Sequence, residues 1–365
     1  MRPQNSDSQR LLSRSPRTSP AFVALLLLMG HLQSHPLEAA DVRVPVGGLR
    51  PATVADLKPH PSGSKTYNEI WTYQIHLEDG LLAFLNFSRV NLGSFKSPVC
   101  GADLNLLGFK GQNYTVAREY DKKNFKFTEG DQKLEVHENI WFQGALPAAH
   151  RVFFSTRKKD ISYLVDLEFS DIVPGQVWGD GMFKMGSETV GIFIHIPRAK
   201  VSGKVAVNGD TLRVTGLAYM DHTFQTTLVP ELVDAGYRYM SQNGELEVGY
   251  FLDPDRDYGN VPVGYGLRYK AGVPSLLKPL GMTAPSASKA KGVNVPTRLE
   301  IAFADSTKSV VERNSDRLQQ SVLHEFSGLT KKFIKNFMGG EIFAFKGTGT
   351  FNGRPAGYNF FIVDD

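Results

Sequence analysis

Cysteine is nearly absent: Cys100 is the only one in 365 residues. No intrachain disulfide can form, so the fold must rest on its core. At 41% hydrophobic residues the chain can supply one, and its length suggests roughly two domains. Surplus charge is also scarce. The formal net charge is +4, with Lys and Arg scattered rather than striped. There is no zinc-finger spacing, recognition-helix pattern or RNA-binding signature, so nucleic acid is excluded as a partner. The signatures of common enzymes are missing too: no Gly-x-Ser-x-Gly elbow, no His-Glu-x-x-His and no Walker loop. "GTGTFNG" at Gly347 is glycine-rich, but a strand hairpin follows it where a phosphate loop needs a helix. The nine histidines never form a His-x-His pair, so neither a metal nor another cofactor is expected. Cys100 reads as a buried, inert thiol.

What is present begins with a distinct first forty residues. Arg2, Arg10, Arg14 and Arg17 precede the apolar run "AFVALLLLMG", Ala21 to Gly30, and "LEAA" ends the segment. A basic start, a short apolar core and small residues at the end are the parts of a secretory signal peptide. The run is short for a bilayer span, which takes about 20 apolar residues. Residues 1–40 are therefore expected to direct export, to the periplasm or outside the cell. Asn86-Phe-Ser and Asn113-Tyr-Thr match glycosylation sequons.

From Tyr67 onward strand follows strand. "WTYQIHL" alternates, with Trp71, Tyr73, Ile75 and Leu77 on one face and Thr72, Gln74 and His76 on the other. Asp79-Gly80, Asn208-Gly209 and Asn352-Gly353 are two-residue hairpin signals. Such a pattern predicts an all-β protein of antiparallel barrels or sandwiches. Two segments differ. Val273 to Pro296, rich in Pro, Ser, Gly and Ala, reads as a long loop. Ser321 to Met338 places Leu323, Phe326, Leu329, Phe333 and Phe337 at helical spacing, and Gly339-Gly340 stops it. Lys331, Lys332 and Lys335 give this helix a basic face. It either packs on the protein's own barrel or makes peripheral membrane contact.

"VTGLAYMDHTF", Val214 to Phe224, carries an acid and a histidine side by side in an oily strand. Alternation puts Asp221 with Leu217, Tyr219 and Thr223, and His222 with Ala218, Met220 and Phe224. The two can meet only across a bulge, yet one shared polar pocket is the simplest account of their adjacency. An unpaired carboxylate in an apolar setting finds a donor or takes up a proton. Asp221 is thus either a structural acceptor, with Arg198 a candidate donor, or a general acid able to protonate an alkene.

The block "FIHIPRAKVSGKVAVNGDTLRVTGLAYMDHTF" resembles the centre of the two-domain lipocalin-like superfamily. That group includes carotenoid 1,2-hydratases (hydroxyneurosporene synthases), AttH-type secreted proteins, fungal lipocalin-like Diels–Alderases and yeast stress-survival lipocalins. The matching features are Pro197-Arg198, Val201-Ser202-Gly203, a hairpin, and Gly216-x-Ala218-Tyr219-Met220-Asp221-His222. The family commonly has Trp at the position of Tyr219. The resemblance implies two packed lipocalin-like (calycin) antiparallel barrels, residues 41–199 and 200–365, meeting near Lys200. It also implies a large hydrophobic ligand: an isoprenoid, a carotenoid-like molecule or a fatty-acyl lipid. Either the protein only binds that ligand, or it is a cofactor-free hydratase or cyclase with Asp221 as acid and His222 or Tyr219 orienting it. Arg198, Met220 and Phe224 are the ligand-contacting candidates, and a monomer is expected. If the segment is a signal, N-terminal sequencing of the exported protein finds a chain beginning near Asp41. A full-length chain in the soluble cytosol contradicts it.

Overall fold

The computed structural model describes residues 42–93, 97–324 and 328–364. The expected signal segment lies outside them, as does Phe326. Trp71, Tyr73, Ile75 and Leu77 all enter one buried core, as the alternation of their strand requires. That strand, Asn68–Leu77, sits in the middle of a large antiparallel sheet between Leu82–Gly93 and Asp210–Gln225. The next strand outward on the latter side is Glu188–Val207. The edge strands Gln112–Asp121 and Lys126–Thr128 lie at opposite ends of the strand order, yet only the turn Lys122–Asn124 and Phe125 separate them in the chain. Opposite edges so tightly tethered force the sheet to curl on itself. Phe87, Leu104, Phe142, Phe154 and Met220 fill its inside.

The second sheet repeats the device. Its edge strands, Val273–Leu277 and Pro279–Ala290, are joined by Lys278 alone. Tyr239, Phe251, Ile301, Phe345, Tyr358 and Phe360 form its separate core. A third cluster, including Ile192, Ile194 and Tyr219 from the first sheet and Val248, Tyr250 and Tyr265 from the second, lies where the sheets face each other. The protein is all-β, two lipocalin-like sheets packed together. The Asn-Gly hairpins form as expected, with φ of 52° and 85° at Asn208-Gly209 and 48° and 76° at Asn352-Gly353. Positive φ at both central residues suits the right-handed twist of the flanking strands.

The structure corrects three expectations. Val273 to Pro296 is not a loop: it holds two whole strands and the start of Val293–Phe303. Pro279–Ala290 is an edge strand exposed along most of its length. It therefore needs no apolar alternation and tolerates proline, and register shifts accompany it. The helix spans only Gly328–Met338, because Ser321 still ends the preceding strand. Its anchor is Ile334, 3% exposed, whereas Leu329 is 86% exposed. The change of sheet falls between Gln225 and Val233, not near Lys200. Lys200 lies inside a strand that continues to Val207 and turns back through Asp210–Gln225.

At one point the contact between the sheets depends on a glycine. A Cβ added to Gly357 would lie 1.9 Å from His76 Nε2 and 2.5 Å from Gln74 Nε2. His76 cannot swing aside freely, since it is hydrogen-bonded to Gln74 at 3.0 Å and to Gln242 at 2.7 Å. Gly357→Ala should therefore cost about 1–3 kcal/mol, the usual price of overpacking. Urea denaturation of the two proteins measures it, and an unchanged midpoint contradicts the close approach.

Candidate functional site

The Asp210–Gln225 strand has buried neighbours on both faces, so both faces can do chemistry. Ala218 and Met220 point into the first core, and Tyr219 points toward the second sheet. Asp221 shares the outward face with Tyr219, and His222 lies on the other. No shared pocket forms: register shifts occur opposite this strand, around Ile196 and Ala199, but none falls between Asp221 and His222. Pro197 and Arg198 occupy that irregular stretch, where a missing proline N–H is tolerated.

Asp221 is completely buried and finds its donor in the second sheet. Arg238 Nε lies 2.7 Å from Asp221 Oδ2, and the Tyr219 hydroxyl donates to the same oxygen at 2.8 Å. The guanidinium also stacks over Tyr250, 3.5 Å from the ring centre. Burial disfavours the Arg238 charge, but Asp221 outweighs it and holds the group above its ordinary value. Burial, then the neighbouring Asp221 charge, pushes the Tyr219 phenol well up, so it stays a proton donor. Asp221 is an acceptor with a cationic partner. That partner is Arg238 and not the expected Arg198.

Arg238 in turn lines a cavity of about 410 Å³ between the two sheets. Ile70, Val190, Leu232, Leu252, Ile342 and Phe361 form apolar walls. Asp103, Lys346, Asn86, Asn105 and Asn359 add polar groups. Lys346 Nζ donates to Asn105 Oδ1 at 2.5 Å, and Asn86 Nδ2 donates to the two Asp103 carboxylate oxygens at 3.1 and 3.0 Å. Burial raises the Asp103 carboxyl, with Lys346 and Asn86 pulling the other way. Burial likewise lowers Lys346, opposed by Asp103. The Asn86 sequon is thus committed to this cavity and its side chain is not a free surface acceptor.

Of the residues singled out in the sequence, none of Asp221, His222, Tyr219, Arg198, Met220 or Phe224 lines this cavity. Asp221 and Tyr219 support it from behind, through Arg238. Met220 is core, and Phe224 packs with Tyr67, Val177 and Phe193. The residues that do line it, Arg238, Asp103 and Lys346, carry the same signal as Asp221: "GYRYM", "GADLN" and "FAFKG" each place a charge in an oily strand.

On the inner face His222 meets Glu69, Nε2 to Oε1, at 2.9 Å, and its Nδ1 lies 2.7 Å from the Asp56 carbonyl. Burial pushes the Glu69 carboxyl up, but hydrogen bonds from His222 and His60 prevail and hold it at about 2. Trp71 stacks on the His222 ring with centres 4.3 Å apart.

Removing one partner of a buried ion pair strands the other charge. Asp221→Asn should destabilise by about 3–5 kcal/mol, and adding Arg238→Met should recover much of that loss. A double-mutant cycle measures the coupling. Strict additivity contradicts the pairing.

Neither a protein-family model nor a curated protein sequence matches the chain. Solved structures do. An AttH-like protein from Nitrosomonas europaea aligns over 88% of this chain and 99% of its own, at 13% identity and a TM-score of 0.60. CghA, solved with Sch210972, aligns over 82% of this chain and 89% of its own, at 14% identity and a TM-score of 0.57. At such identities the likeness is one of backbone architecture. The chain therefore has the all-β, two-domain lipocalin-like fold of these proteins.

Proposed function

We propose that the cavity between the sheets binds a large hydrophobic molecule with a polar end, an isoprenoid, carotenoid-like or fatty-acyl compound. The observation that carries this reading is a cavity of about 410 Å³ with aliphatic walls and two cations, Arg238 and Lys346. Small-molecule sites are typically of this size, mostly apolar, with a few placed polar groups. A carbonyl or carboxylate head would face Arg238 and Lys346, leaving the chain against Ile70, Leu252 and Phe361. That the neighbouring fold in CghA accommodates Sch210972 agrees with a ligand-holding architecture. On this reading the protein is an exported monomer, and the basic start and apolar run within residues 1–40 support the export.

A second reading, a cofactor-free hydratase or cyclase, rests on one observation. Asp103 is a half-buried cavity carboxyl whose desolvation raises it from its ordinary value. It, and not Asp221, is the acid within reach of a bound alkene. Asp221 instead holds Arg238 in position.

Long-chain fatty acids and isoprenoids should raise the melting temperature, and nucleotides and sugars should not. Ala344→Trp, on the cavity wall, should abolish the shift. Lys346→Met should selectively weaken acids relative to alcohols of the same length. If no apolar compound stabilises the protein, or Ala344→Trp leaves the shift intact, the binding reading fails.

A further inference from the structure

The inner face of the Asp210–Gln225 strand carries a polar cluster that the cavity does not use. The Asp56 carbonyl can only accept, so His222 Nδ1, 2.7 Å away, carries a proton. In a neutral imidazole the other nitrogen is then a bare lone pair. That nitrogen, Nε2, lies 2.9 Å from the Glu69 carboxylate. Two acceptors at this distance need a cation between them, either a second proton on the ring or a metal ion.

Neighbouring atoms choose between the two. A proton would serve His222 Nε2 and Glu69 Oε1 alone. It would leave His60 Nδ1, a buried atom, without a hydrogen-bond partner. Tyr67 stands close by, but its single proton goes to the His60 carbonyl at 2.5 Å. His60 Nδ1 is 3.7 Å from Glu69 Oε1, and ligand atoms of His60, Glu69 and His222 all lie within 4.8 Å of one another. Bonds of about 2.0–2.1 Å in a tetrahedral site put neighbouring ligand atoms about 3.3 Å apart. The separations of 2.9 and 3.7 Å bracket that spacing.

We propose that His60, Glu69 and His222 form a binding site for a divalent transition-metal ion of the zinc type. Two imidazoles and one carboxylate suit zinc and its neighbours better than magnesium or calcium, which take oxygen ligands. The surroundings are those of a built site. The His222 Nδ1–H bond to Asp56 orients the ring, as an outer-sphere carbonyl does for a metal-bound histidine. Asp56 is itself fixed: Arg50 grips its carboxylate at 2.7 and 2.6 Å, and the Thr53 N–H and hydroxyl donate to it at 2.7 and 2.8 Å. Phe193 stacks on His60 with ring centres 5.0 Å apart. Only His60 is open, its side chain 23% exposed against 0% for Glu69, which leaves a path for the ion. The missing His-x-His pair has no bearing here, because the three ligands come from separate segments.

The test uses the full chain without an affinity tag, stripped by a chelator and titrated with Co²⁺. One equivalent should bind with visible d–d absorption of tetrahedral intensity, and Zn²⁺ should displace it and raise the melting temperature. His60→Ala keeps the backbone N–H bond to Glu69 (2.7 Å) and should keep the far-UV circular dichroism spectrum, yet lose both the absorption and the stabilisation. Electron paramagnetic resonance of Cu²⁺ in the unmutated protein should independently show two nitrogen ligands. No uptake by the stripped protein, uptake undiminished in a folded His60→Ala, or a Cu²⁺ spectrum without nitrogen ligands overturns the site. Each would leave His222 and Glu69 as a proton-bridged pair.

Discussion

A guanidinium buried between two sheets is tolerable only where a carboxylate faces it, and the rest of the molecule is arranged around that constraint. Arg238 belongs to the second sheet and Asp221 to the first. Their contact at 2.7 Å ties the two sheets together at one spot. Apolar contacts such as those of Tyr219 with the second sheet are forgiving of small slips. A hydrogen-bonded ion pair is not, because a shift of an ångström or two leaves both charges desolvated and unpaired. The cavity forms beside this anchor because the groups around it, Asp103, Asn105 and Lys346, are polar and satisfy one another.

One strand therefore separates two kinds of chemistry. Its outward face supports a mostly apolar cavity with cationic and acidic groups. Its inward face supports an imidazole and carboxylate cluster walled by Trp71 and Phe193. Strand alternation keeps Asp221 and His222 apart although they are neighbours in sequence. Each can change without disturbing the partners of the other.

Much of the architecture was legible from local patterns. Trp71, Tyr73 and Ile75 named their own buried face, and the Asn-Gly turns named the hairpins. The long loop failed because an edge strand exposed on both sides has no hydrophobic period to read, as Ser286 to Lys289 illustrate. The site was half visible. Asp221 stood out as a charge among oily residues, but its partner, Arg238, sits across a change of sheet, and no local spacing connects them. Glu69 and His60 posed the same difficulty. Each is an ordinary residue in its own segment, and only the packing of distant strands gives it a role.

The pairing of Asn68–Leu77 with Asp210–Gln225 also governs when the molecule can form. The first of these strands leaves the ribosome well before the second exists. Until Gln225 emerges, one side of Asn68–Leu77 is an unpaired edge, and the first sheet cannot close. Folding from the N-terminus is thus blocked by topology rather than by weak local structure, and non-local closure of this kind is slow. Hairpins such as Leu82–Gly93 with Ser97–Phe109 can pair earlier, but the complete sheet waits for Gln225.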